Sequence, residues 1–102
     1  MENRFFRRLE INHGIEALAQ DGKFLCRLEN ISLGGLFIKT KKCISPGDQI
    51  EINIPLRNDF TINNFTAKLI AIRREESGAA FKFEGLDPKN FWTLQSFISA
   101  AS

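Results

Sequence analysis

Residues 49–54 read Gln-Ile-Glu-Ile-Asn-Ile, and this clean alternation constrains the fold more than any other feature of the chain. A period of two puts Ile50, Ile52 and Ile54 on one face of an extended strand, with Gln49, Glu51 and Asn53 on the other. The pattern recurs along the sequence. Between Lys23 and Asn30, the residues Phe24, Cys26 and Leu28 share a face opposite Lys23, Arg27 and Glu29. Phe81 and Phe83 repeat the alternation near the end.

Turn signals divide the chain into strands. Asp21-Gly22 predicts a two-residue hairpin, because the central positions of that turn favour positive φ. Ser45-Pro46-Gly47-Asp48 and Arg57-Asn58-Asp59 mark further turns, and so do Glu75-Glu76-Ser77-Gly78. The strands expected between them are 9–19, 23–30, 36–40, 49–56, 60–74 and 79–83. Pro55 implies that its strand ends there or lies at an edge. The apolar parity changes between Ile62 and Phe65, which predicts a bulge near Asn63-Asn64. Only the last segment reads as helix: Asp87 can cap it, Pro88 suits its first position, and Phe91, Leu94, Phe97 and Ile98 form an apolar stripe. The expected fold is mainly β, a six-stranded antiparallel barrel with a C-terminal α-helix over one open end. Residues 1–8 form a basic arm, 9–86 the barrel and 87–102 the helix, within one domain.

With 102 residues the chain can bury one core and little more. Its net charge of +2 gives no broad grip on long nucleic acid. Arg4, Arg7 and Arg8 nevertheless make the amino terminus locally cationic. No long apolar run suggests a signal peptide or a membrane span, so the expectation is a cytoplasmic protein without membrane insertion. Cys26 and Cys43 have neither metal-type spacing nor a disulfide framework and are expected as reduced thiols. His13 is the sole histidine. No Ser, His and acid set, phosphate loop, dinucleotide fingerprint or metal cluster is legible, which points to a binding domain rather than an enzyme, with no metal or cofactor.

The candidate binding residues lie in two stretches. Glu29–Gly35 reads Glu-Asn-Ile-Ser-Leu-Gly-Gly. It can be a plain turn, since Asn, Ser and Gly are turn residues for their own reasons. It can also be a polar ledge: if the strand persists, Asn30 and Ser32 leave one face and offer an amide and a hydroxyl to the edge of a heterocycle. Gly34 and Gly35 would then give a ligand room near the backbone. Asn30-Ile31-Ser32 fits a glycosylation acceptor as well, a reading disfavoured without an export signal. The second stretch is the arm. Arg4, Arg7 and Arg8 supply guanidinium forks that can pair with phosphate or with the O6/N7 edge of guanine. An arm and a ledge of this kind could clamp a small anionic purine ligand.

Together the stretches carry a family resemblance. Arg4 and Arg8 form Arg-x-x-x-Arg, and Asn30, Ser32 and Gly35 form Asn-x-Ser-x-x-Gly about twenty residues later. This pair resembles the two-part signature of the PilZ domain, a bacterial receptor for cyclic di-GMP. The Gly47-Asp48 turn, the strand ending near Pro55, the Gly78-x-x-Phe81 strand and the final helix extend the likeness through most of the chain. The resemblance implies a ligand site on the outside of the barrel. Arg4 and Arg8 would hold phosphate and guanine, Asn30 and Ser32 would meet the other guanine, and Gly35 would keep the turn open. It also implies a stand-alone adaptor whose arm orders on binding and which signals to a separate, unidentified protein partner. The rival expectations are a PilZ-like interaction module in motility or surface-behaviour control that does not bind nucleotide, and a small barrel for single-stranded nucleic acid. Hydrolysis of the ligand is the least supported option.

Overall fold

The computed structural model describes residues 8–57 and 62–100. Alternating residues form β1 (Leu9–Ala19), β2 (Gly22–Ile31), β3 (Gly35–Lys39), β4 (Gln49–Arg57), β5 (Ile62–Glu75) and β6 (Gly78–Phe83), followed by α1 (Pro88–Ala100). All pairings are antiparallel, and the sheet closes in the order β1-β2-β3-β6-β5-β4. Ile50, Ile52 and Ile54 point inward as their alternation requires, and they meet Leu28, Ile31, Leu36, Ile38, Phe65 and Leu69 in the interior. Burying each such side chain contributes roughly 1.5–3 kcal/mol relative to exposure. Among the described residues no polar or charged side chain is buried.

Closure is incomplete along the strands. β1 meets β4 only through Ala17–Ala19 and Ile50–Ile52, so the first half of β1 and the last half of β4 are not paired with each other. α1 packs on β4 and β5 there, with Leu94 and Ile98 in the core. Its start is held as the sequence implies. The Asp87 carboxylate accepts from the Asn90 backbone N–H at 2.8 Å, and Asn90 Oδ1 accepts from the Thr66 N–H at 2.9 Å. Phe91 departs from the expected stripe: it is exposed and lies edge-to-face with Trp92, which is 62% exposed.

Two local expectations are corrected. The β4–β5 register runs unbroken from Gln49↔Ile70 to Arg57↔Ile62, so there is no bulge at Asn63-Asn64. The extra residue of β5 is Ile72, where pairing with β6 slips between Ala71 and Arg73. The first hairpin turns one residue earlier than expected, on Gln20-Asp21, with Ala19 opposite Gly22. Neither central residue has positive φ; Gly22 takes it instead, at 127°. Pro55 does not end its strand, but it lies beyond the stretch of β4 that pairs with β1, which makes it a local edge residue.

Candidate functional site

The ledge is built where β1, β2 and β3 lie side by side. Leu9 pairs with Ile31 and Glu10 with Asn30, so the start of β1, which Arg8 precedes, lies alongside the end of β2, which Ser32 follows. Ile31 is fully buried and Leu9 packs against the core. By the alternation of a strand, their strand neighbours Glu10 and Asn30 therefore flank the inward pair on the outer side. Arg8 and Glu10 are exposed; Asn30 and Ser32 are half-buried. Arg4 and Arg7 lie outside the described residues.

Ser32 is not a strand residue as expected, because β2 ends at Ile31. The Ser32 N–H donates to the Gly35 carbonyl at 2.8 Å and closes the turn. Its hydroxyl accepts from the Gly34 N–H at 3.2 Å and approaches the Gly35 carbonyl at 3.4 Å. The turn and ledge readings thus meet in one residue: Ser32 shapes the turn, and a hydroxyl oxygen has a second lone pair for a ligand. The Asn30 amide makes no hydrogen bond to the other described residues, and Asn30 is only half-buried. Gly35 has a packing reason to be glycine. A Cβ there would overlap the Phe81 carbonyl oxygen and lie 3.1 Å from Lys82 Cα.

Two neighbours escaped the sequence reading. Phe37, opposite Asn30 on β3, is buried yet does not belong to the interior cluster that holds Leu36 and Ile38. It sits on the outer wall beside the Asn30 amide. The signal was the alternation itself, which sends Phe37 outward once Leu36 and Ile38 are inward. Asn12 adopts φ 59° within β1, where the β1–β2 register slips between Glu10 and His13. An asparagine tolerates that conformation better than most residues. Its Oδ1 accepts from Arg27 Nε at 2.8 Å.

Burial pushes the Cys26 thiol up to about 11, so it is protonated at neutral pH. Among the described residues no three His, Cys, Asp or Glu side chains converge as a metal site. No helix among them is long and apolar enough to cross a membrane.

The fold is that of a small closed six-stranded antiparallel barrel with one C-terminal helix. The PilZ domain model matches residues 2–100, and the chain belongs to that family. Solved structures share the fold. The inhibitor of motility MotI from Bacillus subtilis superposes with a TM-score of 0.77 at 13% identity, covering 97% of this chain and 51% of that one. The PilZ domain of CeSA from a cellulose-synthesizing bacterium gives 0.71 at 16%, covering 93% and 97%. YcgR from Escherichia coli, in complex with c-di-GMP, gives 0.66 at 22%, covering 99% and 46%. The chain therefore spans about half the length of MotI and of YcgR. No curated protein sequence matches it.

Proposed function

We propose that this PilZ domain is a cyclic di-GMP receptor that passes its signal to a separate protein partner. The observation that carries the proposal is the β1–β2 register, Leu9↔Ile31 and Glu10↔Asn30, which brings the start of β1, next to Arg8, alongside the end of β2 that leads into the Ser32–Gly35 turn. In this reading Arg8, with Arg4 and Arg7, engages phosphate and guanine. The free Asn30 amide pairs with a guanine edge, the Ser32 hydroxyl adds a contact, and Gly34 and Gly35 leave the turn backbone approachable. A micromolar complex needs about 8 kcal/mol, and a bidentate arginine–base contact is worth roughly 1–3 kcal/mol. Several such contacts reach that total after the arm's ordering cost.

Binding by YcgR, which has the same fold, supports the choice of ligand. The likeness to an inhibitor of motility supports an output in motility control. Binding draws the basic amino-terminal arm over the ligand and so changes the surface offered to the partner. The reading assigns no catalysis to the chain. Calorimetric titration with cyclic di-GMP, with GMP as control, tests it: a saturable, micromolar or tighter isotherm for the dinucleotide alone is the expected result. Equal or absent heats for both would reject the receptor reading in favour of a nucleotide-independent interaction module.

A further inference from the structure

We propose that the outer wall around Leu25 is a docking surface for an acidic segment of a partner protein, one that seats an apolar side chain against Leu25. Leu25 is 81% exposed, on the outward face of β2. It lines an open groove of about 780 Å³ together with Arg27, Lys39, Lys41 and Arg74, opposed by the single carboxylate of Glu76. Four cations against one anion leave this groove strongly positive on a chain whose overall charge is only +2.

Among the described residues, none of these cations is held in an ion pair. Arg27 is held by the neutral Asn12 side chain, through the bulge that turns Asn12 to positive φ. Arg74 donates to two backbone carbonyls, Ile44 at 3.1 Å and Glu75 at 3.2 Å. Ion pairs among the described residues join Lys23 to Glu16, Lys42 to Asp21 and Arg73 to Glu75, and use none of the four groove cations. Both guanidinium groups are thus oriented by uncharged partners and keep their charge available for carboxylates arriving from outside.

The chemistry of the centre selects the kind of partner. Single-stranded nucleic acid needs aromatic stacking platforms, and no aromatic side chain lines this groove among the described residues. Leu25 has Glu16 opposite it on β1, where Lys23 pairs with that carboxylate, while its groove side carries Arg27, Lys39, Lys41 and Arg74 against Glu76. An exposed aliphatic anchor beside such a cationic side matches a protein contact, in which a central apolar residue is shielded by a charged rim. Carboxylates on the partner supply steering and register. The surface also adjoins the candidate ligand turn mechanically. β3 begins at Gly35, which closes that turn, and ends at Lys39 in the groove, about 13 Å further along the strand. The docking proposal does not require nucleotide to bind.

The test selects a random peptide library against the full chain without nucleotide, then measures the enriched peptides by fluorescence anisotropy. Acidic peptides bearing an aliphatic or aromatic anchor are the expected winners. Leu25→Ala should weaken them about tenfold or more, Arg27→Gln and Lys41→Gln should also weaken them, and high salt should do the same. Oligo-dT and phosphatidylglycerol vesicles should bind the chain less tightly than the peptides. Failure to enrich acidic peptides, indifference to Leu25→Ala, or tighter binding of oligo-dT or vesicles would each overturn the proposal. Circular dichroism checks that the variants fold. A separate cyclic di-GMP titration of Leu25→Ala keeps a failure of docking distinct from a failure of the receptor reading.

Discussion

Gly35 meets Phe81 so closely that a methyl group on Gly35 would overlap the Phe81 carbonyl oxygen. The contact is backbone against backbone, on the ladder that joins β3 to β6 through Gly35↔Lys82 and Leu36↔Phe81. A glycine that the ligand reading assigns to an open turn is thus also demanded by the barrel. Gly35→Ala should destabilise the empty protein by roughly 1–3 kcal/mol through overpacking. For a domain of this size that lowers Tm by about 4–8 °C per kcal/mol. Thermal melts without ligand check it; an unchanged Tm would mean that β6 yields freely.

Ser32→Ala should weaken cyclic di-GMP binding and also cost about 0.5–1.5 kcal/mol of stability, since the hydroxyl bonds the turn backbone. Melting of the empty protein and calorimetry of the loaded one separate these effects. Loss of stability with unchanged affinity would leave Ser32 a turn residue only.

Arg8→Ala should reduce affinity for cyclic di-GMP by about 10–100-fold, the equivalent of roughly 1–3 kcal/mol. Arg8 is exposed, so the melting temperature of the empty protein should hardly move. Unchanged affinity would remove Arg8 from the site.

Asp87→Ala should cost about 0.5–2 kcal/mol, because the carboxylate caps α1 at the Asn90 N–H. Asn90→Ala should also destabilise, by releasing the Thr66 N–H from the helix start. Chemical denaturation of both variants tests whether the helix is anchored at this point.

Iodoacetamide near neutral pH should modify Cys43 well before Cys26. Cys43 is exposed, whereas burial raises the Cys26 thiol to about 11. A thiol with a raised folded value favours the folded state while protonated. Cys26 therefore destabilises the fold as pH climbs from about 9, where the unfolded thiol ionises, toward 11. Peptide mass mapping at successive times gives the order of modification, and Cys26→Ala should flatten this part of the pH–stability curve.

The alternation at Ile50, Ile52 and Ile54 determined a strand with one inward face, because side-chain direction along an extended chain is a local property. Asp87-Pro88 likewise announced the helix start from capping chemistry within one turn. The pairing of Glu10 with Asn30, the outward Phe37 opposite Asn30, and the bulges at Asn12 and Ile72 were decided only by the tertiary structure. Each depends on which residue of another strand lies opposite, and a one-residue slip in register reverses every face. Local preference cannot supply that information, because strand register is a relation between segments distant in sequence and is set by closing a barrel around a single core.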